Sequence, residues 1–435
     1  MFQTLLFLSV YALGFVFAIV VNPVYSFVLY EAVYFFSPLE RWWSYSIPTL
    51  RYSLFTVLLM FLALVLKNVK SQSQNQLLAA PQFKWVYLLV TLYGIAWFYS
   101  VYPDQHLTAA INFFKLAIII SVAYKLIDTP SNLDYALWGY IFGSWYISFL
   151  TYQTGRNSPG GRVEGIGTVD SPDSNGIAAA IAPSIVVCLC YFWISTNKFH
   201  KFLFAIAGVF VANAIILINS RGSFLGAGAS ILFFMYYLYF SPIQKKYQKA
   251  IAIGITLIGI SGLAYLIDDS FLARVQTMKQ VENIEEEQTG ATRFIFWMSS
   301  LEMAQDYPFG KGLQGFDYYA PYYIPEGIDS GFSRNRSVHS TWFEALTEIG
   351  YLGLLLLIIM VYSSIKSLRM CMATLKEKED LENYFKTVGI LAATLSYLIS
   401  MTFMNRLRAE MLYWFVLYSA CAYNIYVIKA PVDKK

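Results

Sequence analysis

Apolar runs of about 20 residues recur along this chain, each long enough to cross about 30 Å of hydrocarbon. They fall at 3–21, 49–67, 84–100, 110–127, 132–150, 175–194, 201–219, 222–240, 250–267, 341–364, 385–404 and 408–428. The pattern predicts about twelve transmembrane helices. Residues 22–36 are also apolar but contain Asn22, Pro23 and Glu31. They fit a re-entrant or interfacial segment, or one further span. Two polar interruptions stand out, at 151–174 and at 268–340. Within the second, Phe294, Trp297, Met298, Leu301 and Ala304 recur at helical spacing, which predicts an amphipathic helix over 292–306. Pro308 ends it, and Gly310 and Gly312 turn the chain. The acidic run Glu282 to Glu287 reads as a solvated face. The chain thus divides into an N-terminal transmembrane bundle (1–267), a large polar loop (268–340) and C-terminal transmembrane helices (341–435).

Composition strengthens this reading. Of 435 residues, 57% are hydrophobic and 13% charged, where soluble domains run near a quarter charged. In lipid the backbone must satisfy its own hydrogen bonds, so these spans are helices. The alternating ten-residue segments of a β-barrel are absent. The fold class is all-α, polytopic and membrane-embedded. A net charge of +4 spread along the chain excludes nucleic acid as a partner. The four cysteines form no C-x-x-C pair, which argues against a disulfide framework or a zinc site. No Lys or Arg precedes Arg41, so the first apolar run reads as a retained span rather than a cleaved signal.

Charge then sorts the loops. With residue 1 inside, the inner side is almost all lysine: Lys67, Lys70, Lys84, Lys125, Lys198, Lys201, Lys245, Lys246, Lys249, Lys366, Lys376, Lys378, Lys386, Lys429, Lys434 and Lys435, with Arg369. The outer side is almost all arginine: Arg41, Arg51, Arg156, Arg162, Arg221, Arg274, Arg293, Arg334, Arg336, Arg406 and Arg408, with Lys279 and Lys311. Inner lysine is what topology requires. Outer arginine runs against that bias, and guanidinium is a planar, bidentate partner for phosphate. The segregation predicts an anionic, phosphorylated substrate on the outer face. Anchoring at lipid headgroups is the competing reading, and it suits Arg41 and Arg51 best.

The sharpest stretch is Arg334-Asn335-Arg336-Ser337-Val338-His339-Ser340-Thr341-Trp342-Phe343-Glu344. It joins the large loop to an apolar run. Thr341 and Glu344 fit a capping box opening a helix. His339 then sits beside a helix N-terminus, whose dipole favours neutral imidazole, the form that takes a proton from a hydroxyl. A structural hydrogen-bonding role is the alternative. Arg221, in Asn219-Ser220-Arg221-Gly222-Ser223, lies at the membrane boundary, where charge is costly and rarely idle. Arg293 opens the loop helix against the dipole; pairing with Glu285 to Glu287 is its alternative. Arg406 and Arg408 face outward between two spans. Arg162, Asp173 and Asn175 lie in the first polar interruption, where Asp173 and Asn175 could orient a sugar hydroxyl or cap the next helix; capping suits Asn175 better. There is no P-loop, no G-x-G-x-x-G and no D-x-D, and Glu326 and Asp329 lack a metal-ligand spacing. No cofactor and no metal are expected.

Four stretches resemble the O-antigen ligase superfamily, which includes O-antigen polymerases and O-linked oligosaccharyltransferases. They are Ser220-Arg221-Gly222; Thr292 to Trp297 leading to Tyr307-Pro308-Phe309-Gly310-Lys311-Gly312; Val338-His339-Ser340 before Glu348-Ile349-Gly350-Tyr351-Leu352-Gly353; and the large loop itself. Val21-Asn22-Pro23 and Asp170 to Asn175 are similar to the exosortase-associated O-glycosylation ligases. The resemblance covers roughly residues 150–410. It implies a GT-C-type glycosyltransferase of the bacterial inner membrane with its active site facing the periplasm. The implied donor is a glycan on undecaprenyl pyrophosphate, and the acceptor is a saccharide, the lipid A core or a protein. It also implies that Arg221 and Arg293 hold the pyrophosphate and His339 activates the acceptor hydroxyl, with Arg334, Arg336, Arg162, Arg406, Arg408, Asp173 and Asn175 in supporting positions. Ser340 departs from the Asn that often follows the histidine. A polymerase of the same superfamily is the nearest rival. A transporter or flippase for an anionic lipid-linked substrate is the rival of another class, but only Glu31 and Lys115 place charge within apolar segments.

Overall fold

A computed structural model describes residues 2–70, 75–158, 161–171, 173–267, 290–326, 328 and 333–429. The acidic run Glu282 to Glu287, Arg274, Lys279, Asp329, Lys434 and Lys435 lie outside the described residues. Within them the chain is helical, with no β-strand and one isolated bridge between Thr168 and Ser171. The helices are α1 (Phe2–Val20), α2 (Tyr25–Phe36), α3 (Tyr52–Lys70), α4 (Pro81–Ile95), α5 (Pro103–Leu126), α6 (Pro130–Thr154), α7 (Ser174–Ile194), α8 (Lys198–Ile218), α9 (Arg221–Phe240), α10 (Gln248–Leu266), α11 (Gly290–Asp306), α12 (Gly315–Tyr323), α13 (Thr341–Glu377), α14 (Leu381–Met401) and α15 (Glu410–Tyr423). Among the described residues, nine helices are long and apolar enough to cross a membrane.

Residues 22–36 resolve into α2, a short helix at the centre of the molecule. Phe27, Phe35 and Phe36 are fully buried there. Trp414 of α15 packs against Tyr34 and Phe35, with ring centroids 5.0 and 6.1 Å away. Gly139 and Gly143 of α6 leave room for Glu31 and Phe35, so α2 presses directly onto α6. Glu31 is buried and accepts the Tyr418 hydroxyl. Lys115 is exposed and bonds Asn112 within its own helix. The two intramembrane charges therefore do not form one path.

Side-chain bonds fix the direction of these first helices. Gln3 bonds Gln153 at the C-terminal end of α6, 3.2 Å apart. Asn22 bonds Asn132 at the start of α6, 2.8 Å apart. That start is the lysine end of the bundle, since Lys67 pairs with the neighbouring Asp128 at 2.7 Å. Helix α2 then returns toward Arg41, which donates to Gly167 of the first polar interruption at 2.6 Å. Hence α2 counts as a pass, and Phe2 lies at the arginine end. This corrects the expectation that residue 1 is inside. Hydropathy could not settle it, because Glu31 and Asn22 are satisfied by partners far along the chain.

The apolar core runs without a break from Phe7 to Tyr426. A second, small core lies outside it: Phe296 and Met303 of α11, Phe316 and Ala320 of α12, Ile324 and Val338. The predicted apolar face of α11 is therefore rotated. Phe296, Ser300 and Met303 are buried, while Phe294 and Met298 are exposed. The partners α12 and α13 choose the buried stripe. All four cysteines are free and buried.

Candidate active site

Helix α13 begins at Thr341, as the sequence predicts, but not through a capping box. Ser340 is the N-cap and its side chain caps nothing. The Thr341 hydroxyl instead donates to the Met404 carbonyl at 2.8 Å and accepts from the Arg406 amide at 2.9 Å. Glu344 accepts from the Leu407 amide at 2.9 Å and from Arg408 at 3.1 Å. Both residues of the supposed box thus hold the loop between α14 and α15. That loop holds the histidine in turn. Asn405 accepts the Ser340 amide at 3.0 Å, and its amide nitrogen lies 2.5 Å from the Ser337 hydroxyl. His339, bracketed between these bonds, has φ of 51°, a left-handed backbone that non-glycine residues adopt at a cost. Nothing in the sequence singled out Asn405; its role needs a contact across 65 residues.

The same helix breaks at Gly350, whose φ of 71° and ψ of −171° are not helical. The break frees carbonyls for the Pro308–Gly312 turn. Lys311 donates its amide to Thr347 at 2.9 Å, Gly312 to Glu348 at 2.8 Å, and Tyr351 to Pro308 at 3.1 Å. A Cβ on Gly350 would collide with the Pro308 carbonyl. The glycines of both motifs therefore serve one joint, which docks the large loop on α13. His106 of α5 seals its far side: Nδ1 accepts the Leu313 amide at 2.8 Å, and Nε2 lies 2.8 Å from the Tyr93 carbonyl.

Helix α11 carries Arg293 to the histidine. The Trp297 indole donates to the Val338 carbonyl at 3.1 Å and stacks on Phe343, centroids 5.5 Å apart. Trp297 also meets Phe403, against which Gly222 of α9 packs. Arg221, the first residue of α9, thereby reaches the same place. The charges report this convergence. Burial lowers the proton affinity of Arg293, and the cations Arg221 and Arg162 lower it further. His339 falls to about 4, through burial first, then Arg293 and Arg336, with Asp173 opposing. Burial also lowers Arg162, against Glu164. The buried Nε of Arg293 has no hydrogen-bond partner among the described residues. Arg162, Arg221, Arg293, Arg336 and His339 thus form one cationic cluster around a neutral imidazole. Such a cluster can bind an anion and accept a proton beside it.

Arg406, Asp173, Arg408 and Arg334 bond to partners other than His339. Arg406 pairs with Asp173 at 2.7 Å and donates to the Asp170 carbonyl at 2.9 Å. Asp173 also caps α7 by accepting the Gly176 amide at 2.9 Å, so the cap is Asp173 and not Asn175. Arg408 pairs with both Glu344 and Glu348. Burial opposes its charge, but Glu348 and Glu344 outweigh burial and raise its proton affinity. Arg334 donates to the carbonyls of Ile324 and Pro321 at the end of α12. Two more arginines do the same elsewhere. Arg41 takes the Phe35 and Phe36 carbonyls ending α2, and Arg156 those of Ile216 and Leu217 ending α8. Among the described residues, no group of three or more His, Cys, Asp or Glu is placed to hold a metal ion.

Against this geometry, the chain is similar to one known family over part of its length. Residues 206–358, from α8 through the break in α13, match the family model described as O-Antigen ligase. The match takes in Arg221, Arg293, Arg336, His339 and the joint at Gly350. No curated protein matches the chain.

Proposed function

From this match to the O-antigen ligase superfamily, we propose that the chain is a membrane glycosyltransferase that moves a glycan from undecaprenyl pyrophosphate to an acceptor hydroxyl. The carrying observation is a half-buried, neutral His339 inside a cluster of arginines. Lysine marks the cytoplasmic side by the positive-inside bias, so the arginine end faces the periplasm of the bacterial inner membrane. The His339 imidazole takes the acceptor proton as the acceptor oxygen attacks the anomeric carbon. A glycosidic C–O bond forms, and the bond from that carbon to the pyrophosphate oxygen breaks. The electron pair leaves with undecaprenyl pyrophosphate, whose charge Arg221 and Arg293 offset. Preorganised charge of this kind contributes on the order of 3–4 kcal/mol per donor. Arg336 and Arg162 extend the positive field. Because fixed guanidinium charge meets the leaving group, the transfer proceeds without a divalent metal. The acceptor is the lipid A core, a growing glycan or a protein.

The test is reconstitution in vesicles with a lipid-linked glycan, candidate acceptors and a chelator. His339→Ala should lower transfer by about 10²–10⁴-fold with insertion intact. Near-normal transfer by that variant would sink the mechanism. In cells, loss of a ligase leaves long lipid-linked polymer, whereas loss of a polymerase leaves single repeat units.

A further inference from the structure

Helix α12 carries a feature that the transfer chemistry leaves unused. Its sequence, Gly315 to Tyr323, turns Phe316 and Ala320 into the small outer core. Its opposite side is almost all tyrosine. Tyr318 and Tyr322, four residues apart and so on one face, are 43% and 79% exposed. The rings continue beyond the helix. Tyr102, at the head of α5, meets Tyr318 edge-on at 5.8 Å. Tyr318 meets Tyr319 at 4.9 Å, Tyr319 meets Tyr307 at 4.8 Å, and Lys311 sits 4.3 Å over the Tyr307 ring. The result is a row of aromatic faces edged by hydroxyls and one ammonium group.

We propose that this tyrosine row is a docking platform for a saccharide chain, lying outside the arginine and histidine cluster; this rests on the glycan-transfer reading above. The chemistry of the row selects the occupant. A pyranose offers an apolar face of C–H groups and a rim of hydroxyls. Tyrosine offers a flat apolar ring with a hydroxyl at its edge, and it loses little conformational freedom on contact. A lipid surface would select differently. Where this chain exposes a membrane-spanning helix it mixes aliphatic with aromatic side chains: on α10, Leu257 is 61%, Ile258 75% and Tyr265 88% exposed. The exposed face of α12 has no aliphatic residue. Position supports the same occupant. Asn335 donates to the Asp317 carbonyl of α12 at 2.9 Å, and Arg334 caps the end of α12. The platform is thereby tied to the segment that leads to His339, so a chain lying on it would be tethered close to the reacting end.

The test uses full-length protein in detergent and, as probe, the water-soluble oligosaccharide released by mild acid from the lipid-linked glycan of the source cells. Binding is measured by titration calorimetry, and transfer in parallel. The Tyr318→Ala/Tyr322→Ala variant should bind the probe about tenfold more weakly. The Tyr318→Phe/Tyr322→Phe variant should stay within about threefold. In transfer, the alanine pair should raise KM for the glycan and leave kcat unchanged, with an unaltered melting temperature. Unchanged probe binding in the alanine pair would overturn the proposal. So would no probe binding by the wild type, or a change in vesicle insertion alone, which would mark an interfacial aromatic belt. His339→Ala separates the two readings. It should bind the probe normally and not transfer. Tyrosine-dependent binding with no transfer by the wild type would leave the platform standing and remove the transferase.

Discussion

A general base with a proton affinity as low as that of His339 makes a distinctive pH profile. Imidazole ordinarily titrates near 6.5. Burial and the charges of Arg293 and Arg336 bring His339 to about 4, against Asp173. The base is therefore in its working, neutral form throughout the neutral and mildly acidic range, and the acid limb of kcat/KM falls only as pH drops through about 4. At pH 5 a group titrating near 4 is about nine-tenths neutral, whereas one titrating near 6.5 is about 3% neutral, roughly a thirtyfold difference in rate. Transfer assayed from pH 4 to 8 reads this directly. A titration of the three histidines by carbon-13 NMR assigns it, with His339→Ala identifying the resonance. Arg336→Gln removes one cation from the field and should move the acid limb to higher pH, by less than the whole displacement because burial is the larger cause. Stability follows the same linkage. Between about 4 and 6.5 the unfolded chain binds a proton at this residue that the folded chain does not, so stability falls as pH falls through that window. An acid limb at 6.5 or above, unmoved by Arg336→Gln, would refute the placing of a half-buried neutral base among these arginines.

Three further outcomes follow from the contacts around the site. Arg408→Gln leaves Glu344 and Glu348 buried without their cation and should cost about 3–5 kcal/mol, read as a large drop in melting temperature; Arg408→Gln with Glu344→Gln and Glu348→Gln should recover part of it. Asn405→Ala releases the segment on both sides of His339 and should lower kcat by about tenfold or more with little change in KM, while the melting temperature moves less than for Arg408→Gln. Cysteines placed at Gln3 and Asn157 should react with an impermeant thiol reagent from one side of the membrane, and at Asn197 from the other; reaction of Gln3→Cys together with Asn197→Cys would restore the opposite direction for α1.

Among the described residues, nine of the twelve predicted spans, the start of α13 at Thr341 and the turn from Pro308 to Gly312 are legible in the sequence because each follows from local rules: length of apolar run, onset of periodicity, proline and glycine as punctuation. What was not legible depends on partners distant in the chain. Thr341 and Glu344 have capping-box spacing, yet a loop some 60 residues away offers better-placed donors and takes both side chains. The α11 stripe chosen by counting apolar residues includes Phe294 and Met298, but α12 packs against Phe296 and Met303. Glu31 left residues 22–36 open between a re-entrant or interfacial segment and a span, and Tyr418 answers it across 387 residues. Asn405 gave no signal at all.

The arginine asymmetry itself changes meaning in the structure. Read from the sequence, an outer face rich in Arg pointed to phosphate. Yet Arg41, Arg156 and Arg334 each lie over the last carbonyls of a helix, where a cation opposes the negative end of the dipole. One planar fork can take several carbonyls at once, which a lysine ammonium does with less preorganisation. That is a reason for arginine with no ligand in it. Arg406 and Arg408 are likewise matched by carboxylates. What sets Arg162, Arg221, Arg293 and Arg336 apart is a mutual field: their charges weaken proton binding by one another or by His339. Like charges gathered in a half-buried place repel one another, and among the described residues Asp173, the carboxylate that acts on His339, also pairs with Arg406. The count of arginines is thus weak evidence for a phosphorylated substrate, and the mutual field of the arginines that meet at His339 is the stronger part.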